Sequence, residues 1–319
     1  MASEPKTLQE AIKHFADPKN CREYLVARRW PNGVTCPRCG SDKVAFLEKY
    51  NRWQCSAKTH ANRQFTSKTG TIFEDSPLGL DKWLAAMWLI VNCKNGVSSY
   101  EVARDLGVSQ KSAWHMMHRI RLAMQDDLTG GMLNGEVEVD ETFIGGKVRN
   151  MHRDKKVKQQ QVSQKGNKVV VIGALERKGR VRASVAPDRK APSMRDHVQG
   201  HVDIGSVIFS DEHAHHWRMD DKYRHEIVQH AAQYVDGNVH TNGMENFWSL
   251  LKRGLHGTYV SVEPFHLFRY LDEQAFRFNN RKDMKDSDRF DLAVRQIVGR
   301  RLTWAEVTGK SQGVKPTAN

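Results

Sequence analysis

Gly135-Glu136-Val137-Glu138-Val139-Asp140-Glu141-Thr142-Phe143 alternates acidic or polar residues with apolar ones. A period of two is the signature of a β-strand, here with Val137 and Val139 on one face and Glu136, Glu138 and Asp140 on the other. A row of carboxylates repels itself unless it is solvated or neutralised by a cation. The stretch is therefore either the solvated face of an edge strand or one wall of a cation site, and the residues on either side of it decide between the two.

Downstream, Ser206-Val207-Ile208-Phe209-Ser210-Asp211-Glu212 is a short apolar strand that ends in acid. Asn242-Gly243-Met244-Glu245-Asn246-Phe247-Trp248-Ser249-Leu250-Leu251-Lys252-Arg253 reads as a helix whose inward stripe is Met244, Trp248 and Leu251. Taken alone, Asp211 fits a turn-initiating residue. Glu245 alone fits a surface pattern, sharing its helix face with Asn242 and Lys252. Together they supply oxygen ligands from two strands and a packed helix. Two divalent ions about 4 Å apart, held by such ligands with positions left open, can activate an attacking oxygen and stabilise a leaving one at phosphorus. Lys252 is spaced to hold a phosphate near them. With strand and helix patterns alternating over residues 134–285, the chain reads as a multidomain α/β protein with this region as its mixed-sheet domain.

Upstream, Cys36-Pro37-Arg38-Cys39-Gly40 is a metal knuckle, and Cys55 follows after fifteen intervening residues, as a second half-site should. The expected fourth cysteine is Lys58, which makes His60 the nearest competent ligand. Three thiolates and one imidazole suit a closed, structural Zn2+ site. The short strands around Trp53 and Phe65 hold too little core to fold without one, so residues 34–75 read as a zinc ribbon behind a helical lead at 1–33. Cys21 and Cys93 lie in apolar surroundings and read as core thiols.

Residues 76–130 read as helices. Ser98 and Glu101 form a capping-box pattern, Gly107 suits a left-handed turn, and Ser109 caps a following helix with Ala113, Met117, Ile120 and Met124 inward. Its other face carries Gln110, Lys111, His115, His118, Arg119 and Arg121. Either this is a three-helix bundle with a solvated basic face, or a helix-turn-helix that enters a major groove. The charge favours the second: 50 Lys and Arg against 37 Asp and Glu give a net +13, which calls for a polyanionic partner. No membrane role is expected, because the longest apolar run, Trp83 to Val91, is nine residues. Residues 1–6 show no secretory pattern, and an odd five cysteines, three of them clustered, indicates a reducing cytosol. From Lys147 to Lys168 eight Lys and Arg face a single acid, Asp154, which reads as a DNA-contacting arm or a solubilising loop. His213, His215 and His216 read as a surface turn. Ser210 lacks the Gly-x-Ser-x-Gly elbow of a hydrolase. Residues 286–319 read as a polar C-terminal tail.

The acids at 140, 211 and 245, with His240-Thr241-Asn242 and Trp248, Leu251-Lys252-Arg253 around the last, resemble the DDE transposases of bacterial insertion sequences. Gln64-Phe65-Thr66-Ser67-Lys68-Thr69-Gly70-Thr71-Ile72-Phe73 resembles the zinc-ribbon ending of one branch, and Tyr270-Leu271-Asp272-Glu273 with Phe276-Arg277-Phe278-Asn279 and Arg281 resembles its C-terminal signature. The resemblance covers about residues 20–285. It implies a zinc ribbon, a helix-turn-helix and a ribonuclease-H-like, retroviral-integrase-like catalytic domain, and it selects Asp140 over Glu138 and Glu136. It further implies two Mg2+ ions, with Mn2+ as a substitute, held by Asp140, Asp211 and Glu245, and cleavage and strand transfer at the element's inverted repeats. The expected partners are double-stranded DNA, both element ends and target, and a second copy of the chain or a larger synaptic assembly. DNA contacts are expected from Gln110, Lys111, His115, Arg119, Asn242 and Arg253, in a bacterial cytoplasm at the nucleoid. The rival readings are a catalytically silent DNA-binding regulator and a simple metal-dependent nuclease. The departure from the family pattern is His60, where many relatives have cysteine.

Overall fold

The computed structural model describes residues 4–125, 131–145, 168–211, 222–228 and 241–310. The described residues divide into two compact units, one from 4–125 with 280–310 and the other within 131–279. The basic segment 147–167 and His213, His215 and His216 lie outside the described residues. Among the described residues no helix is long and apolar enough to cross a membrane.

The first unit opens with α1 (Leu8–Phe15), capped by the Thr7 hydroxyl, and α2 (Pro18–Arg29), capped by Asp17 with proline in its first turn. An antiparallel ribbon follows, β1 (Val44–Leu47), β2 (Arg52–Cys55) and β3 (Gln64–Phe65), in that order across the sheet. Its small core is Trp53 and Phe65, whose rings stack at 5.9 Å, with Trp30 against both. Then come α3 (Leu80–Asn92), α4 (Ser99–Leu106) and α5 (Gln110–Met124). The Ser98–Glu101 capping box forms in both directions, and Gly107 ends α4 at φ +59°, a left-handed turn open to glycine without strain.

Residues 286–310 are not a tail. Helix α9 (Asp286–Arg295) packs on α2 and α3, with Phe290 buried against Phe15, Tyr24 and Trp88 at 5.0–5.8 Å between centroids. Arg28 donates to Asp291 at 2.6 Å beside it. Phe290, Ala293, Val294 and Ile297 recur at helical spacing, a stripe easily lost in a polar segment. A short helix, α10 (Trp304–Val307), follows.

The second unit is built on a five-stranded sheet ordered β6-β5-β4-β7-β8: β4 (Glu136–Ile144), β5 (Val169–Glu176), β6 (Val181–Ala186), β7 (Val207–Asp211) and β8 (Arg224–Val228). β4 pairs antiparallel with β5 and parallel with β7. It is thus the central strand, and the edge-strand reading of its acidic face does not hold. One face buries Val137, Val139, Ile172, Ala174 and Ile208 under α6 (Ala191–His201) through Met194 and Val198. The other buries Val171 and Leu175 under α7 (Asn242–Gly254) and α8 (Leu267–Asn279). In α7 the buried side chains are Met244, Phe247, Trp248 and Leu251, each worth about 1.5–3 kcal/mol of burial.

Two stability tests follow. Phe290→Ala should cost the first unit about 3–5 kcal/mol, read as a lowered Tm; an unchanged Tm would refute the role of α9. In the second unit, His197 on α6 is buried and hydrogen-bonded to Ser184 at 2.8 Å, and burial, helped by His201, pushes its pKa down to about 3. Its folded pKa lies below its unfolded value, so its contribution is complete above about pH 6.5 and is lost as pH falls toward 3, by up to about 1.4 kcal/mol per pH unit. Denaturant titrations between pH 7 and 4 should show a shallower loss for His197→Gln. Parallel losses in variant and parent would refute the assignment.

Candidate active site and metal centre

Asp140 and Asp211 come together through strand register. β4 and β7 pair Glu136 with Val207, Val137 with Ile208 and Glu138 with Phe209, and Asp140 and Asp211 each lie two residues beyond that last pair. Neighbouring strands lie about 4.8 Å apart, so the two carboxylates feel each other. Burial pushes Asp140 up to about 7; hydrogen bonds from Trp248 and the Glu141 amide oppose the rise, and the charges of Glu141 and Asp211 add to it.

Both oxygens of Asp140 are held. Oδ1 accepts from the Glu141 amide at 2.8 Å, and Oδ2 accepts from the Trp248 indole Nε1 at 2.9 Å. The indole reaches it because the residue opposite Asp140 on β5 is Gly173. A Cβ at Gly173 would lie 2.8 Å from the Trp248 ring and 2.4 Å from Met244 Cε, so glycine opens the slot. Glu245, three residues before Trp248, is exposed on α7, as are Asn242 and Arg253, while Lys252 is half-buried. Asp140, Asp211 and Glu245 do not converge into a ligand cluster. Among the described residues, the one set of three or more acidic, His or Cys ligands within 4.8 Å of each other is elsewhere.

That set is Cys36, Cys39, Cys55 and His60. Cys39 and Cys55 sulfurs are 3.7 Å apart, and Cys36 Sγ is 3.4 Å from His60 Nε2. Thiolates at about 2.3 Å from a tetrahedral ion stand about 3.8 Å apart, so the four groups fit Zn2+. The Asn62 carbonyl lies 3.1 Å from His60 Nδ1 and turns Nε2 toward the sulfurs. The Ser41 amide lowers the Cys39 thiol to about 6, which favours the ligating thiolate.

The basic face of α5 is not the open surface that its sequence pattern implies. Arg119 is 6% exposed, donates to the Glu74 carbonyl at 2.5 Å and lies over Trp83. His118 and Arg121 are buried as well. His115 packs 5.4 Å from Trp304, and burial, with Arg119 nearby, lowers its pKa. Gln110 donates to Ser99, and Lys111 remains exposed with its ammonium 4.5 Å from the Trp304 ring. Helical periodicity reports one inward stripe; it carries no sign of α10 closing a second side. Arg119 is thus engaged within its own unit, and His115 is half-buried beside Trp304. Sequence reasoning also passed over Trp248 as a donor to Asp140, although an isolated glycine in the apolar run Val169–Glu176 was the signal of a close approach there.

The metal centre is directly testable. His60→Ala should weaken zinc retention by more than about tenfold, the scale that even outer partners of a zinc ligand reach, in competition with a chromophoric chelator. Parental affinity in that variant would remove His60 from the ligand set.

An ISXO2-like transposase domain model matches residues 132–279, and a transposase zinc-ribbon domain model matches residues 17–58. The second match contains the three cysteines and stops two residues short of His60. A protein of Halobacterium salinarum described as an uncharacterized protein in transposable element ISH50 is 26% identical over 254 residues, which cover 76% of this chain and 85% of that protein. The two domain matches span the ribbon and the sheet with α7, and together they take in more than half of the chain. Over these two stretches the chain is similar to transposases, with a zinc-ribbon match ahead of an ISXO2-like transposase-domain match.

Proposed function

We propose that the chain cuts DNA at the terminal inverted repeats of its own mobile element and joins the freed ends to target DNA, with Asp140, Asp211 and Glu245 as the catalytic acids. The observation that carries this reading is that Asp140 and Asp211, two residues beyond the last pair of adjacent parallel strands, feel each other's charge, with α7 bound to Asp140 through Trp248. Three antiparallel strands continued by two parallel ones, with helices on both faces, support a ribonuclease-H-like domain over residues 134–285. The turn at Gly107 between α4 and α5 supports a helix-turn-helix within residues 76–130, ahead of which the ribbon spans 34–75.

A desolvated carboxylate beside a second one is a hard-oxygen donor set, which suits two Mg2+ ions, or Mn2+ in their place. When bound, such ions polarise the phosphodiester and neutralise charge on the leaving oxygen. The chain's own groups orient the reactants. Trp248 and the Glu141 amide fix the Asp140 carboxylate. Lys252 and Arg253, in the last turn of α7, meet phosphates, and Asn242 opens the same helix. Hydrolysis breaks one phosphodiester and frees a 3′-OH. That hydroxyl then attacks a target phosphorus, forming one phosphodiester as another breaks, so no cofactor energy is consumed and no covalent enzyme intermediate arises. Joining two ends requires a dimer or a larger synaptic assembly, acting where the DNA is, in the bacterial cytoplasm at the nucleoid.

An oligonucleotide duplex that carries the element end, incubated with target plasmid and Mg2+, tests the proposal. Asp140→Asn should reduce joined product by about a thousandfold, the several kcal/mol that such ions supply, while binding to the duplex persists. Binding without joined product from parent and variant alike would leave only a DNA-binding regulator, and equal joining by the two would remove Asp140 from the catalytic acids. Cleavage without joined product would leave a nuclease.

A further inference from the structure

Glu138 shares the acidic face of β4 with Asp140, yet it is 1% exposed and lies under α7. Its Oε2 accepts from the Met244 backbone amide at 2.9 Å, an N–H in the first turn of α7 that has no partner within the helix. Its Oε1 accepts from Arg177 Nε at 3.3 Å. Arg177 also reaches Glu136 at 3.1 Å and lies 3.9 Å over the ring of Phe209, the cross-strand partner of Glu138 on β7. One carboxylate thus ties together β4, the β5–β6 turn and the start of α7. The approach is as close as a backbone permits: a Cβ on Gly243 would lie 2.8 Å from Glu138 Oε2 and 2.4 Å from Leu175 Cδ2.

We infer that Glu138 is a positioning residue: it anchors the first turn of α7 to β4 and so sets where Glu245 stands relative to Asp140. The inference rests on the reading of Glu245 as a catalytic acid. Two anchors hold the helix, Met244 to Glu138 and Trp248 to Asp140. Their spacings match, because two residues of strand rise about 6.7 Å and four residues of helix rise about 6 Å. Glu245 lies between the anchors, next to the first. The negative charge of Glu138 also faces the positive end of the helix dipole, which strengthens the seat. With one oxygen on a helix amide and the other on a guanidinium, Glu138 is engaged by the protein itself, in contrast to exposed Glu245.

The test compares Glu138→Gln, Glu138→Ala, Gly243→Ala and Asp140→Asn in the full-length chain, by amide hydrogen exchange over residues 242–248 and by strand transfer with kcat and KM resolved. Glu138→Ala should speed exchange at Met244 by more than about tenfold and lower kcat by about a hundredfold, with KM for the DNA within about twofold of the parent. Glu138→Gln keeps an acceptor for the Met244 amide and should stay within about tenfold of the parent on both measures. Gly243→Ala lifts the same turn while Glu138 remains and should reproduce the loss of kcat. If Glu138→Gln is as inert as Asp140→Asn, Glu138 is a ligand and the inference falls. It falls equally if Glu138→Ala leaves exchange and kcat at parental values. Should Glu138→Ala not fold, the glutamine variant against Asp140→Asn decides. If Asp140→Asn itself joins DNA at the parental rate, the catalytic reading fails, and the exchange result still decides the anchoring.

Discussion

The hydrogen bond from the Trp248 indole to the Asp140 carboxylate joins sheet to helix at a place where burial raises the pKa of an acid held between them. An apolar residue there would pack at no electrostatic cost. An aspartate costs stability, because burial disfavours its charged form. The arrangement persists because the rest of the unit is built to receive it: Gly173 leaves room for the ring, Met244, Phe247 and Leu251 bury the same side of α7, and α8 closes over the sheet beside them. Stability is given up at Asp140 and recovered from the apolar contacts around it.

Some of this was legible in the sequence. The alternation over residues 136–143 located β4 and split its faces correctly, since Val137 and Val139 lie under α6 and the acids point the other way. What alternation cannot convey is whether the polar face meets water or a helix. That depends on which strands pair on either side, and the pairing with β5 and β7 is set by contacts 25 to 71 residues away. The cluster of Cys36, Cys39, Cys55 and His60 was legible because short-range spacing brings the four together. The role of Glu138 was not, because its partners, Arg177 and Met244, are distant in sequence and ordinary in context.

The first unit shows the opposite error. Charge and helical period suggested an open basic face on α5, but Arg119 hydrogen-bonds Glu74 and lies over Trp83, and Trp304 lies against His115 and Lys111. Arginine and histidine carry enough apolar surface to line a core when a carbonyl or ring meets the polar end. The net charge of +13 still calls for a polyanion. The charges available to one are carried by exposed groups such as Lys111 and Arg253 rather than by the whole recognition face that a helical wheel would draw.

The return of α9 to the first unit has a consequence for the order of synthesis. The ribosome makes the ribbon and α1 to α5 first and the whole sheet unit next, and only then delivers Phe290 and Asp291, which cover Phe15, Tyr24 and Trp88 and meet Arg28. A chain released before residue 280 carries Cys36, Cys39, Cys55 and His60 yet lacks the helix that covers that aromatic cluster. Completion of the ribbon-bearing unit is therefore tied to completion of the chain, and a fragment that ends early is marked by exposed aromatic surface for aggregation or degradation rather than for use.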